Sequence, residues 1–228
     1  MNSNPDDPPG STGDPFSMEN IPWPKPEDQL IAADEPDHWN NAWISANRGN
    51  RWSLYAIGYK QAADLVVDKF MEDNGVQDYL VYPAMFLYRQ YLELEIKDLI
   101  LSARNLLDEP ELDDLNSHDI SAYWKICCEL LERVSPGDSV DELKHIARIV
   151  DEFSHYDPSS FAFRYPVTKP DRKTKERKPT LDGLETINLR NVKNVMANVA
   201  ALLGAAGDQI YEYMGHKADM YSDYGSDY

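Results

Sequence analysis

The sequence predicts an all-α protein, a helical bundle of about five helices with a short β-hairpin insertion and disordered termini. Apolar residues recur every three or four positions in five segments, as on the buried side of a helix. Strand and helix patterns do not alternate along the chain, which disfavours a parallel sheet. A length of 228 residues suits one domain with tails.

Three regions follow from this pattern. Residues 1–35 are rich in Pro, Asp, Ser and Gly, which predicts a disordered N-terminal segment. Residues 36–214 contain the five periodic segments and form the predicted helical domain. Residues 215–228 predict an acidic tail that is rich in Tyr and Asp.

The first two helices are predicted from their apolar stripes. The inner side of the first, at about 52–72, carries Tyr55, Tyr59, Ala62, Val66 and Phe70. The second runs from about 82 to 108, and its stripe consists of Met85, Tyr88, Leu92, Ile96, Leu99, Ala103 and Leu106. Pro83 suits the first turn of the second helix, where a missing N–H loses no hydrogen bond.

The other three helices have boundary signals as well as stripes. The third, at about 119–134, carries Ile120, Tyr123, Cys127, Leu130 and Val134 on its inner side. Ser139 stands three residues before Glu142, a capping-box spacing that predicts the start of the fourth helix. Asn188 suits the N-cap of the last helix, whose stripe continues to Ile210.

The segment between the fourth and fifth helices has a different pattern. Phe161, Phe163 and Tyr165 alternate with smaller or polar residues, as in a short strand, and residues 184–189 could pair with it. Between them, residues 169–178 (KPDRKTKERK) form the predicted basic hairpin tip, with six basic and two acidic residues.

The composition limits the classes of function. A net charge of −18 opposes nonspecific nucleic-acid binding over the surface as a whole and favours solubility or a basic partner. The chain starts with a polar segment and its most apolar helix is too short to span a bilayer, so we expect a cytoplasmic protein with no membrane contact. Cys127 and Cys128 diverge by about 100° on a helix, which favours buried thiols over a disulfide or a metal site. We expect no metal and no cofactor.

The second helix also carries a charged ladder. Arg89, Glu93 and Lys97 recur every four residues and so lie along one strip beside the apolar stripe. Such a ladder can simply solvate a helix, or it can belong to a site, and the spacing alone leaves both interpretations open.

Four blocks of sequence give the ladder a context. They are the segment from Pro83 to Lys97, which contains LYRQYLELEIK; His118-Asp119-Ile120 with Tyr123-Trp124; Phe163-Arg164-Tyr165-Pro166; and Ile187-Asn188-Leu189. In this order, over about residues 50–214, the chain resembles the HEPN superfamily of helical domains, in a branch of bacterial HEPN-like proteins.

The resemblance implies a helical bundle, often dimeric, in a superfamily linked to RNA cleavage, toxin–antitoxin pairs and antiphage defence. It also marks a charged cluster consisting of Arg89, Glu93, Lys97, His118 and Arg164. At position 90, relatives of this branch commonly carry His, whereas this chain has Gln90.

HEPN ribonucleases carry an Arg followed four to six residues later by a His and use no metal. Here Arg148 and His155 have six residues between them, and seven helical positions advance about 10.5 Å and nearly two turns. The imidazole would act as a base toward a ribose 2′-OH, and the guanidinium would stabilise charge on phosphate. Alternatively, Arg148 pairs with Glu152 and His155 caps the helix C-terminus.

Two further residues of the cluster have local interpretations. Arg164 is expected to form a buried ion pair with Glu93, with ligand binding as the alternative. His118 follows Ser117 at a helix start, so we expect it to act as a local cap.

The basic tip is the segment whose charge would attract phosphate. Its cations are Lys169, Arg172, Lys173, Lys175, Arg177 and Lys178. They could be solvated without further function, or they could contact RNA, an acidic partner or the acidic tail of the same chain.

Two functions therefore remain open. The first is a HEPN-like module of a prokaryotic stress or antiphage-defence system that acts on or near RNA, in one form as a metal-independent endoribonuclease. The second is a non-catalytic interaction or regulatory protein with a protein partner. The net charge and the acidic, aromatic tail favour this second function. In both cases we expect a homodimer.

Overall fold

The computed structural model describes residues 23–44, 51–72, 77–110, 112, 114–137 and 140–225. It divides into an N-terminal unit, Met1–Asn47, and a larger unit, Arg48–Tyr228. In the N-terminal unit, residues 23–44 form turns and one short 3₁₀ helix, His38–Asn40. Residues 1–22, most of the segment predicted to be disordered, lie outside the described residues.

The larger unit is mostly helical, which confirms the all-α prediction. Its described residues contain five α-helices: α1 (Arg51–Glu72), α2 (Val81–Leu106), α3 (Ile120–Val134), α4 (Val140–Tyr156) and α5 (Leu189–Gly225). Each begins within one residue of its predicted start. The predicted stripes of α2, α3 and α5 lie on the core-facing sides of their helices. The stripe predicted for α1 was partly wrong, because Tyr55 is 56% exposed and the buried positions of this helix are Ala56, Ala63 and Val67.

Helix α2 lies at the centre of the bundle, with α1, α3 and α5 packed against it. It is buried on several sides, so it carries both the apolar core and buried polar side chains. Helix α1 is joined to it by a hydrogen bond of 2.7 Å from the hydroxyl of Tyr88 to Asp64. An ion pair between Lys193 and Asp68 joins α1 to α5.

The sequence predicts the start of helix α5 correctly but not its end. Its start is confirmed, because the side chain of Asn188 accepts the backbone N–H of Asn191 at 3.0 Å. Its end is not: the helix continues to Gly225, so the prediction of a disordered tail was wrong for residues 215–225. Lys217 holds this extension by donating to the carbonyl of Leu106 at 2.7 Å and pairing with Asp108 at 2.6 Å. Residues 226–228 lie outside the described residues.

The loop between α2 and α3 is anchored by a bidentate ion pair. Both terminal nitrogens of the buried Arg104 donate to the carboxylate of Asp114, at 2.8 and 2.6 Å. Hydrogen bonds from Arg104 hold the pKa of Asp114 below its usual value. This pair fixes the path of the chain toward the start of α3.

The predicted β-hairpin is not supported, because the described residues contain no strand. The carboxylate of Asp157 accepts the backbone N–H groups of Phe161 and Ala162, and Ser160 has a φ of 53°. These contacts wind the alternating segment into turns, so its N–H groups do not point into a ladder. The basic tip, residues 169–178, is instead a loop that one isolated antiparallel bridge, between Val167 and Pro179, closes. It is called the basic loop below.

The two cysteines are free thiols, Cys127 buried and Cys128 half-buried. Burial raises the pKa of both, that of Cys128 to about 11. Among the described helices, none has an apolar stretch of the length needed to cross a bilayer.

Candidate functional site

The charged ladder of α2 is buried. Arg89 is 0%, Glu93 1% and Lys97 6% exposed, so the ladder does not solvate the helix. Charged groups are stable in such a position only when they are paired and hydrogen-bonded. Their partners therefore define the site.

The carboxylate of Glu93 is the centre of this network. One oxygen, Oε1, accepts a hydrogen bond from Nζ of Lys97 at 2.9 Å, and the other, Oε2, accepts one from Nη1 of Arg89 at 2.9 Å. Burial by itself raises the pKa of Glu93, but the hydrogen bonds from Lys97, His118 and Arg89 together hold it below its usual value. Glu93 is thus an ionised carboxylate inside the bundle.

His118 is the fourth member, and it is the one that reaches solvent. Its Nδ1 atom lies 3.0 Å from Oε1 of Glu93, while 53% of its side chain is exposed. Because an ionised carboxylate can only accept, Nδ1 must carry the hydrogen of this bond. In neutral His118 the other nitrogen, Nε2, is then the proton acceptor, and no hydrogen bond from a described residue occupies it.

This arrangement corrects the prediction for His118. The residue that caps α3 is Asp119, whose side chain accepts the N–H of Ala122 at 3.0 Å. His118 instead positions its imidazole on the carboxylate below it. A carboxylate that holds one imidazole nitrogen and leaves the other directed outward is the arrangement used for acid–base chemistry.

The guanidinium of Arg89 joins two distant segments to the ladder. Its Nη2 donates to the carbonyl of His118 at 2.5 Å, and its Nε donates to the carbonyl of Asp157 at 3.3 Å. Lys97 adds a bond of 3.3 Å to the carbonyl of Ser117 and lies 4.9 Å from the ring centre of Tyr123. Arg89 and Lys97 are therefore occupied by the protein itself and hold the site in place.

These bonds bring the start of α3 and the end of α4 to the same end of the bundle. A second contact there joins the hydroxyls of Ser121 and Ser154, whose oxygens are 2.8 Å apart. His155 follows Ser154 directly. The structure therefore places His155, predicted as half of a catalytic pair, at the end of the bundle that also carries His118.

Arg148 and His155 both lie on the exposed side of α4. Within the part of the chain that the structure describes, Arg148 forms no ion pair with Glu152. His155 is in the last turn of the helix, with its ring edge-on to Tyr156 at 4.8 Å. The cavity of about 260 Å³ beside α4 is lined by other residues of this helix, among them Ile149, Glu152 and Tyr156.

Arg164 does not pair with Glu93, so the predicted buried ion pair was wrong. The side chain is exposed, and its Nε donates to the carbonyl of Ser160 at 2.6 Å. Its guanidinium carbon lies 5.4 Å from the ring centre of Phe86 and 5.7 Å from that of Tyr165. Arg164 follows the tight turn that starts at Asp157, and this turn directs its side chain to this position. The predicted extended strand would have directed it elsewhere.

The basic loop is ordered by its own acidic residue. The side chain of Asp171 accepts the N–H groups of Lys173 and Thr174, both at 2.8 Å, which lowers the pKa of that carboxyl. The N–H of Thr168 donates to the carbonyl of Lys178 at 2.8 Å and closes the base of the loop. All six cations of the loop are exposed.

The acidic tail does not cover this loop over the residues that the structure describes. Lys217 is bound to Leu106 at the C-terminal end of α2, whereas Arg164 contacts Phe86 near its N-terminal end. Twenty helical residues span about 30 Å. The helical part of the tail therefore leaves from the opposite end of α2.

Asp157 is a buried residue of the candidate site that the sequence pattern did not indicate. It is 0% exposed; one carboxylate oxygen caps the following turn, and its carbonyl anchors Arg89. The other oxygen, Oδ2, has no hydrogen-bond partner among the described residues. The sequence DPSS around it predicts a turn, but burial of the carboxylate is a property of the tertiary structure that this local pattern does not show.

Among the described residues, no three His, Cys, Asp or Glu side chains are grouped to hold a metal ion. In comparisons with known proteins, no family model, no curated protein and no solved structure matches the chain.

Proposed function

We propose that this chain is a HEPN-like module of a prokaryotic stress or antiphage-defence system, and that it cleaves RNA without a metal in the cytoplasm. The observation that carries the proposal is the pair formed by buried Glu93 and solvent-facing His118, with 3.0 Å between Oε1 and Nδ1. The resemblance to the HEPN superfamily supports RNA as the substrate.

In this proposal Nε2 of His118 takes the proton of a ribose 2′-OH. The 2′-oxygen then bonds to the adjacent phosphorus, the bond from phosphorus to the 5′-oxygen breaks, and that oxygen takes a proton as it leaves. Glu93 stabilises the imidazolium that forms, because the carboxylate already holds Nδ1–H. Arg89 and Lys97 keep Glu93 ionised and in position.

His155 is the proposed source of the second proton. It lies at the same end of the bundle as His118, beside the contact between Ser121 and Ser154. An imidazole there can protonate the leaving 5′-oxygen while His118 accepts the 2′-proton. Two groups with opposite protonation requirements predict a bell-shaped dependence of the cleavage rate on pH.

The test is cleavage of a fluorescent single-stranded RNA by the purified full chain, with and without EDTA. We expect cleavage in both conditions, and we expect His118→Gln and His155→Gln each to lower the rate at least about a hundredfold. His145→Gln is the matched control, because His145 is an exposed histidine on the same helix as His155. Intact RNA under all conditions would refute the proposal.

The same assay decides between His118 and the pair of Arg148 with His155. If His155 is the base and Arg148 stabilises charge on phosphate, Arg148→Gln should abolish cleavage and His118→Gln should leave it unchanged. If His118 is the base, His118→Gln should abolish cleavage and Arg148→Gln should leave it unchanged. The variants Glu93→Gln and His118→Gln should then lose activity together.

A non-catalytic interaction protein is the second proposal, favoured by the exposed face of α1. Leu54, Tyr55, Ile57 and Leu65 are 52, 56, 47 and 69% exposed, and an apolar patch of this kind is typical of an interface. The proposed partner is a second copy of the chain or a basic protein. Light scattering should give twice the mass of the 26.1 kDa chain, and Leu65→Glu should return a monomer. A monomeric wild type would exclude the homodimer.

A further inference from the structure

Phe161 and its neighbours form a column of rings and cations on the surface of the larger unit. The rings of Phe161 and Tyr165 are stacked, with centroids 4.4 Å apart and an angle of 26° between their planes. Arg164 lies between Tyr165 and Phe86, and Nζ of Lys169 lies 5.5 Å from the ring centre of Phe161. Arg164 and Lys169 are exposed, and so is half of Tyr165.

A cavity of about 400 Å³ lies beside the Phe161 end of this column. Its lining includes Phe161, Lys169, Asp157 and Thr180. The cavity therefore combines an aromatic ring, a cation and a carboxylate. Oδ2 of Asp157, one of the lining residues, is buried and has no hydrogen-bond partner among the described residues.

We propose that this cavity binds one unstacked nucleobase of a single-stranded RNA. The base stacks on Phe161 in the position that Lys169 occupies in this structure, and Lys169 moves to the adjoining phosphate. Aromatic stacking of splayed bases with nearby cations is the usual way in which proteins hold single-stranded RNA.

The charge of the surroundings supports a nucleic acid rather than an acidic peptide. Lys169 is the first residue of the basic loop, whose six cations and two acidic residues contrast with the net charge of −18 of the whole chain. A strand that enters the cavity with one base would pass its phosphates along this loop. An acidic peptide without aromatic side chains would use the same cations but would not need the ring of Phe161.

The position of the cavity connects it to the catalytic proposal, on which this inference rests for its substrate. The carbonyl of Asp157 is bound by Arg89, which also binds the carbonyl of His118. Tyr156, which contacts His155, is part of the cavity wall. A base held here would thus place the attached ribose and phosphate at the end of the bundle that carries both histidines.

The experiment measures binding separately from cleavage. A fluorescein-labelled eight-nucleotide RNA with 2′-O-methyl groups cannot be cleaved through its 2′-oxygen, so anisotropy reports binding alone. We expect Phe161→Leu to weaken binding about tenfold, as for the loss of one stacked base. We expect Lys169→Gln to lower the slope of log affinity against log salt by about 1, as for the loss of one phosphate contact.

A scan with abasic nucleotides tests for the base itself. One position in the RNA should lose affinity when its base is removed, and this loss should disappear in Phe161→Leu. The matched controls are Tyr79→Leu and Lys125→Gln, an exposed ring and an exposed cation outside the loop, which should bind like the wild type. Thermal unfolding of each variant confirms that it is folded.

The outcomes separate the two proposals. If the 2′-O-methyl RNA binds as described but unmodified RNA stays intact, the cavity is a binding site and the cleavage proposal fails. If RNA is cleaved but Phe161→Leu and the abasic scan change nothing, the nucleobase site is refuted and the cleavage proposal stands. Equal binding of duplex and single-stranded RNA also refutes the site, because paired bases cannot enter the cavity.

Discussion

Glu93 lies beneath His118, with 3.0 Å between Oε1 of the carboxylate and Nδ1 of the imidazole. The carboxylate is buried and the imidazole is half exposed, so the pair connects the interior of the bundle to its surface. The orientation of the ring is set by this bond, because the other side of His118 faces solvent.

The tautomer of His118 follows from this contact. Neutral His118 should carry its hydrogen on Nδ1, whereas exposed histidines such as His145 should show no such constraint from a carboxylate. Long-range ¹H–¹⁵N spectra of the neutral form distinguish the two nitrogens. A predominantly Nε2–H form of His118 would contradict the geometry, and Glu93→Gln should remove the constraint.

Glu93→Gln should destabilise the protein by about 3–5 kcal/mol, because it leaves the buried cations Arg89 and Lys97 without their carboxylate. Chemical denaturation measures the free energy of unfolding. The control is Glu72→Gln, whose exposed pair with Lys69 should contribute less than about 1 kcal/mol. Comparable losses in the two variants would show that the network does not stabilise the fold.

The loss of stability caused by Glu93→Gln should be larger near neutral pH than in acid. The pKa of Glu93 is lower in the folded protein than in the unfolded chain, so its contribution is present above the unfolded pKa of about 4.3 and is lost as pH falls through the folded value. The difference in stability between the wild type and Glu93→Gln should therefore be constant near neutral pH and shrink in acid.

Glu95 should change the pH dependence of stability in the direction opposite to that of Glu93. Burial, together with the nearby carboxylate of Asp98, raises the pKa of Glu95 to about 7. Its stabilising contribution is present below the unfolded pKa of about 4.3 and is lost as pH rises through 7. Glu95→Gln should thus be more stable than the wild type at pH 8, by about 1–3 kcal/mol, and indistinguishable from it near pH 4. Thermal unfolding at both values is the measurement, and a variant less stable at pH 8 would refute the assignment.

Lys217 should determine whether the chain beyond Met214 is helical. Its bonds to the carbonyl of Leu106 and to Asp108 join the end of α5 to the end of α2. Lys217→Ala should cost about 1–2 kcal/mol and speed hydrogen exchange in residues 215–225. Lys125→Ala should do neither. Unchanged protection of residues 215–225 in Lys217→Ala would mean that another contact holds the extension.

The sequence by itself determined the helices. The stripe from Met85 to Ala103 predicted α2, and Asn188 predicted the start of α5, because periodicity and capping are local properties of the chain. It also indicated the ladder of Arg89, Glu93 and Lys97, since a spacing of four residues on a helix places side chains on one strip.

Only the tertiary structure decided what these side chains contact. Burial of the ladder depends on the loop before α3, which contributes His118 and Ser117 from a distant part of the sequence. The predictions for Arg164 and His118 were wrong for two different reasons. A turn around Asp157 replaces the strand that was expected to carry Arg164. The side chain of Asp119, rather than His118, caps α3. The end of α5 was missed because a polar helix gains its stability from a contact such as that of Lys217 with Leu106, and such contacts leave no periodic pattern in the chain.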